Sequence, residues 1–213
     1  MSEFKVWHNE AIGTKTVEAL VKNNFKAMYC QTKQEAVEQI LALIPLEATV
    51  GVGGSWTVGE LGLLDKLSTL GNTMFNHGLP NLSAETRIEL RRKQLTCDVF
   101  LTGTNAVTMD GRLVNTDGIG NRVASMIFGP KKVVIVVGVN KIVKDVAEAE
   151  KRIKLYAAPI NNKRLKTPNP CTVTGECMDC QGSTRICNVT TVISKRPPLT
   201  DIHIVVIGED LGF

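Results

Sequence analysis

Four of the six cysteines fall within residues 171–187, CTVTGECMDCQGSTRIC, spaced Cys171-x5-Cys177-x2-Cys180-x6-Cys187. Four thiolates in one loop suit a metal, either one Zn²⁺ or an iron–sulfur cluster. The spacing matches neither the bacterial ferredoxin run nor paired CxxC knuckles, so it does not choose between the two. Pro168 and Pro170 before the segment, and Gly175 and Gly182 within it, make a loop able to fold around an ion, with Asp179 and Arg185 as outer or surface groups. The competing readings are free thiols and a disulfide formed on oxidation. A reducing compartment favours metal over a disulfide. Cys30 and Cys97 stand among apolar residues and read as inert core thiols.

Two further stretches carry polar chemistry. Residues 51–60, GVGGSWTVGE, read as strand, glycine turn and helix start. Gly51, Gly53 and Gly54 would let backbone approach a ligand, a helix start would offer free N–H groups to an anion, and Ser55 and Thr57 add hydroxyls. Thr57-x-x-Glu60 has the form of a capping box. Glu60 is therefore either the carboxylate of that cap or an acid–base group. Trp56 reads as an anchor for the loop. The motif is neither GxGxxG nor a P-loop, so it names no nucleotide, and a plain tight turn remains the bland alternative.

Residues 101–123, LTGTNAVTMDGRLVNTDGIGNRV, place Thr102, Gly103, Asn105, Asp117, Asn121 and Arg122 just after an apolar strand. Asp117 could serve as general base or hold a hydroxyl, or could simply turn the chain with Gly118. Asn121 and Arg122 could bind a carboxylate or phosphate. Asp110-Gly111 between apolar runs predicts a type I′ hairpin. His77, after a strand and before Gly78, could project into the same pocket as Gly53, or be structural. His8 and His203 show no partners in the sequence.

The elements that must position these residues alternate. Helices are expected over residues 11–23, 33–44, 57–67, 84–95, 121–128 and 143–156, the second opened by the capping box Thr32-x-x-Glu35 and the fourth capped by Ser83. Strands are expected over 26–29, 49–52, 73–76, 98–102, 132–137, 190–193 and 203–207, the last two as closing strands. Arg87, Arg91, Arg92 and Lys93 read as a solvated helix face. Alternation of this kind predicts an α/β fold with a mostly parallel sheet under helices. A single domain over residues 1–213 is expected, with a cysteine-bearing excursion at 168–189.

Hydrophobic residues at 43% and charged residues at 22% argue against wholesale disorder. A net charge of +4 suits an anionic substrate, while the lack of an arginine-rich arm or basic-aromatic stripe argues against nucleic acid. Apolar runs such as residues 133–137 are too short to span a bilayer, and the N-terminal residues do not resemble a signal peptide. A soluble, cytoplasmic protein is the expectation.

The segments GVGGSWTVGELGL, DVFLTGTNAVTMDGRLVNTDGIGNRVASMIFGPKKVVIVVGVNKIV, AAPINNKR and VVIGEDLGF together make the chain resemble, over nearly its whole length, the LUD family. These are the lactate-utilization proteins that include the LutC and YkgG groups. The resemblance implies a three-layer α/β/α fold of the NagB/RpiA/CoA transferase-like type. It also implies a role in oxidising L-lactate to pyruvate alongside iron–sulfur partner proteins. TGTNAVTMDGRLVNTDGIGNRV is in addition faintly similar to a segment of methylthioribose-phosphate isomerase relatives, in which the matching carboxylate takes part in proton transfer. Asp117 and Asn121 are the nearest matches.

Three readings follow: a component of lactate oxidation, a stand-alone isomerase- or CoA-transferase-like enzyme using Glu60 or Asp117, and a binding or assembly subunit with a zinc clasp. The expected partners are a small anionic substrate (carboxylate or phosphate), iron–sulfur redox proteins and, as an option, a second copy of the chain. The redox context implied by the family tilts the four-cysteine site toward an iron–sulfur cluster over zinc.

Overall fold

A computed structural model describes residues 2–213. In chain order its first half runs α1 (Glu3–Lys22), β1 (Lys26–Cys30), α2 (Lys33–Leu43), β2 (Thr49–Val52), α3 (Trp56–Glu60), α4 (Leu63–Thr69), β3 (Thr73–Phe75) and α5 (Ala84–Gln94). Then come β4 (Val99–Gly103), β5 (Ala106–Thr108), β6 (Leu113–Asp117), α6 (Asn121–Ile127), β7 (Lys132–Gly138), a 3-10 turn (Val139–Lys141) and β8 (Ile142–Val143). The remainder is α7 (Val146–Arg152), a π-helical stretch (Ile153–Ala157), α8 (Ala158–Arg164), α9 (Cys171–Thr174), β9 (Val189–Ile193) and β10 (Asp201–Ile207).

Six strands form one all-parallel sheet in the order β1-β10-β7-β4-β2-β3. The run of residues 133–137 is apolar without alternation because both faces of β7 are buried. Val134 and Val136 meet α2, α3 and α4 through Ala36, Ile40, Val58, Leu63 and Leu67. Val133, Ile135 and Val137 meet Leu20 of α1 and Val123 and Met126 of α6 on the other face.

Part of that second layer is not helical. A four-stranded sheet, β8-β5-β6-β9, lays Val107, Leu113 and Ile193 against the main sheet, while Ala106 and Val114 on its outer face are covered by Ala149 and Ile153. The two expected closing strands therefore part company. β10 sits inside the main sheet between the edge strand β1 and β7, and β9 pairs antiparallel with β6.

Several local expectations are corrected. The helix expected from Thr57 starts one residue earlier, with Ser55 as its cap accepting from Val58 N at 3.3 Å, and it stops at Glu60. Gly62 in the left-handed region then separates α3 from α4. The β5–β6 hairpin forms, but not on a type I′ turn. Gly111 N donates to Thr108 O, and Gly111 alone in the turn has positive φ (82°), which describes a type I turn closed by a left-handed glycine.

The helix expected over 143–156 begins only after Asp145, whose side chain accepts from Glu148 N at 2.9 Å. It continues through a π-helical stretch into α8. Pro159 explains that stretch: a proline has no N–H and its ring crowds the carbonyl four residues back, and a wider turn relieves both. The caps at Thr32 and Ser83 form as read.

Candidate functional site

The loops beyond the C-terminal ends of β2, β4 and β7, with β6 and α8 on the far side, enclose a cavity of about 450 Å³. That position is where ligands bind in open parallel sheets. Glycines allow the loops to come this close. A β-carbon on Gly53 would lie 2.5 Å from Thr102 Oγ1, and one on Gly103 would lie 2.6 Å from Ser55 Oγ. The two loops thus interlock, and neither position tolerates a side chain without a shift.

The cavity brings together Gly53, Gly54, Ser55, Thr57, His77, Gly103, Asn105, Asp117, Asn121 and Arg122. Gly51, Thr102 and Glu60 lie outside its lining. Gly51 is a packing glycine in β2, pressed against Cys97 Sγ. Thr102 is fully buried and donates to Gly103 O at 3.2 Å. Glu60 does not cap Thr57. Its Oε1 accepts from Trp56 Nε1 at 2.9 Å and its Oε2 from Gly212 N at 2.8 Å, which holds residues 211–213 over the pocket rim. There Trp56 stacks on Phe213, ring centroids 6.4 Å apart. With α3 only five residues long, its dipole would offer an anion little attraction.

Asp117 and Arg122 form the frame of the site. Arg122 Nε and Nη2 donate to Asp117 Oδ1 at 2.9 and 2.6 Å, Nη1 to Gly103 O and Asn115 Oδ1, and Nη2 also to Asn105 Oδ1. Asp117 Oδ2 accepts from Val123 N at 3.0 Å. Both carboxylate oxygens are thus engaged, and the guanidinium ties β4, the β4–β5 loop and β6 to the start of α6. Asn105 is held as well, its Oδ1 accepting from Thr116 N at 2.9 Å. Asn121, by contrast, lines the cavity with no side-chain hydrogen bond among the described residues.

Lys141 lies at the inner wall, 3% exposed, with Nζ donating to Thr57 Oγ1 at 2.7 Å. Among the described residues no carboxylate stands within ion-pair distance of it. Burial, and then the Arg152 and Arg122 guanidinium groups, lower its ammonium to about 7. His77 is lowered to about 4, by burial first and then by Arg91, so it is neutral near pH 7. Gln94 Nε2 donates to Val52 O and Phe75 O and stands 2.9 Å from His77 Nδ1. His77 Nε2 is the ring nitrogen nearer Gly54.

Arg87 and Arg91 are not a solvated face. Both are half-buried on the pocket side of α5, whereas Arg92 and Lys93 are exposed. Arg87 donates to His77 O and Leu79 O, and buried Arg91 Nε has no hydrogen-bond partner among the described residues. With Arg164 at the rim, the lining holds Arg87, Arg91, Arg122, Lys141 and Arg164 against one acidic side chain, Asp117, which is already paired.

A family model for the LUD domain matches residues 13–207. The chain belongs to the LUD domain family. A crystal structure of a DUF162 family protein from Deinococcus radiodurans shares the fold, with a TM-score of 0.54 over 93% of this chain and 98% of that one at 14% identity. No curated protein matches the sequence. The LUD family is associated with lactate utilization, and the α/β architecture described above is its fold. Among the described residues no helix is long and apolar enough to cross a membrane.

In this LUD domain the pocket residues that sequence reading missed are chiefly Arg87, Arg91, Lys141, Arg164 and Phe213. Two had a signal. Arg87 and Arg91, four residues apart, share one helix face with Gln94, and Lys141 follows the C-terminal end of a buried strand. His203, expected without a partner, bonds Asp201 at 3.0 Å.

None of the six cysteines is paired in a disulfide. Cys30 and Cys97 are buried, and burial pushes each up to about 11, which suits inert core thiols. Cys171, Cys177, Cys180 and Cys187 line a separate small void that shares Ile186 with the main cavity. Burial and then the neighbouring Cys177 thiol push Cys187 up to about 11.

Proposed function

We propose that the cavity binds a small, multiply charged anion bearing carboxylate or phosphate groups, and that the chain serves lactate oxidation in the reducing cytoplasm together with iron–sulfur partner proteins. The single observation carrying this reading is the excess positive charge of the pocket, above all Arg91, whose buried Nε has no partner among the described residues, and Lys141, with no carboxylate among them within ion-pair distance. A buried donor without an acceptor costs stability, and a bound carboxylate or phosphate oxygen supplies the acceptor. In this reading Arg91, Lys141 and neutral His77 hold the anion, Asn121 orients it, and the Arg122–Asp117 pair keeps the loops in place. Turning lactate into pyruvate removes two electrons and two protons, and the electrons go to the iron–sulfur partners.

The acid–base role considered for Glu60 and Asp117 receives no support from the geometry, since one lies outside the pocket and the other has both oxygens engaged. The cavity volume nevertheless favours a second reading, a phosphorylated or CoA-bearing substrate, because a three-carbon acid fills little of about 450 Å³. Calorimetric titration with L-lactate, pyruvate, sugar phosphates and CoA tests both. Binding of one of these, weakened about tenfold or more by Arg91→Ala, is the expected result. Failure of every anion to bind would sink the proposal, and turnover of a sugar phosphate or CoA ester by the isolated chain would establish the second reading.

A further inference from the structure

The void among Cys171, Cys177, Cys180 and Cys187 is about 20 Å³, room for about one water. Among the described residues no three side chains meet there to hold a metal, so its lining does not fit a polynuclear cluster. The unclaimed chemistry of the chain lies instead at Lys141, the one buried lysine among the described residues.

The fold builds a fixed seat for this amine. Lys141 closes the 3-10 turn after β7, and its neighbour Asn140 grips the segment beyond β10, accepting from Leu211 N at 3.1 Å and donating to Gly212 O at 3.2 Å. That segment backs the amine, since a β-carbon on Gly212 would lie 3.2 Å from Lys141 Nζ. The protein gives Nζ one acceptor, Thr57 Oγ1 at 2.7 Å, where an ammonium has three N–H groups to place. Lys141 also lines the anion cavity.

The nearby charges are mostly of its own sign. Arg152 donates from Nε to Asn140 O at 3.3 Å and from Nη1 to Asn105 O at 2.7 Å, so carbonyls rather than carboxylates hold it there. Arg122 adds a second guanidinium, whereas Glu60, whose field opposes theirs, has its oxygens taken by Trp56 and Gly212. Burial beside cations favours the free amine, and this is how a lysine becomes a nucleophile at neutral pH.

We propose that Lys141 captures the carbonyl carbon of a small anionic ketone or aldehyde as an imine. The inference rests on the anion-pocket reading and names the class of anion, a 2-oxo acid or a phosphorylated ketose. Its carboxylate or phosphate meets the arginines that line the same cavity. The amine lone pair adds to the carbonyl carbon, and one N–H proton passes to the carbonyl oxygen. The carbinolamine then loses that oxygen and the second N–H proton as water, leaving C=N in place of C=O. One amine and one carbonyl give one imine and one water, with no change in oxidation state. The same lysine holds an anion when protonated and bonds it when free.

The test gives the full chain pyruvate or dihydroxyacetone phosphate near neutral pH, with sodium cyanoborohydride to reduce any imine to a stable amine, followed by peptide mass mapping. From pyruvate, Lys141 is expected to gain one carboxyethyl group about tenfold or more faster than any exposed lysine. Whichever of the two compounds labels faster assigns the carboxylate or the phosphate source. L-Lactate, which lacks the carbonyl, should leave no adduct, and unfolding in urea should erase the preference for Lys141. Mapping the native chain locates the adduct whether or not Lys141→Met folds; where that variant folds, the adduct should vanish. No adduct, or labelling spread evenly over the lysines, overturns the proposal. Calorimetry with L-lactate and inorganic pyrophosphate separates the two readings. An anion that binds while nothing is trapped removes the imine and keeps the anion pocket, and absence of both removes both.

Discussion

Lys141 places an ammonium group where almost no water reaches it, bonded to one hydroxyl and near two guanidinium groups. Its value of about 7 makes anion binding pH-dependent. As pH falls from about 8 to about 6 the amine gains its proton, and a bound anion favours that charged form. Affinity for a sulfonate, whose own charge is constant in this range, is expected to rise over the interval. Lys141→Met should flatten the profile and weaken binding by about tenfold, about 1.4 kcal/mol; an unchanged profile would remove Lys141 from the site.

His77 sets a second pH effect, this time on stability. Its folded value of about 4 lies below the ordinary 6.5, so between these values the unfolded chain binds more protons. Stability is then lost as pH falls through that window. Discounted for partial exposure, the loss is on the order of 2 kcal/mol. Denaturant titrations near pH 7 and pH 4.5 should show a smaller acid loss in His77→Asn than in the native chain.

The β5–β6 hairpin shows how one element's turn depends on another element's surface. Gly111, at φ 82°, tucks against α1 so closely that a β-carbon would fall 2.5 Å from the Ala19 carbonyl carbon. Asn23, the C-cap of α1, donates to Asp110 O and Gly111 O, both at 2.9 Å. Gly111→Ala therefore meets strain and a backbone clash together and is expected to cost about 2–4 kcal/mol, read as a fall in Tm. A Tm within error of the native one would mean that the hairpin does not pack on α1. The Asp-Gly pair announced a hairpin. Its turn type was hidden, because the packing of Gly111 on α1 is a contact about ninety residues away in sequence.

For the molecule as a whole, Glu60 links α3 to residues 211–213 across 152 residues of sequence. Glu60→Ala should release Phe213 from Trp56, cost about 1 kcal/mol of stability and weaken anion binding only a few-fold. An acid–base residue would instead lose turnover by about a hundredfold or more, so ligand affinity and activity measured on one variant separate the two roles.

The amino-acid sequence by itself determined the α/β alternation, the buried central strand and the glycine-rich loops at the pocket. Periodicity, caps and turn residues are local, and each is written in neighbouring positions. The clustering of four cysteines was equally plain. Only the tertiary structure decided that β10 inserts beside β7, that a second sheet replaces part of a helical layer, and that Asp117 is locked by Arg122. It alone turned Arg87 and Arg91 inward and brought Lys141 to Thr57. These outcomes depend on which distant surfaces meet, and on charges whose partners are chosen by burial rather than by spacing along the chain.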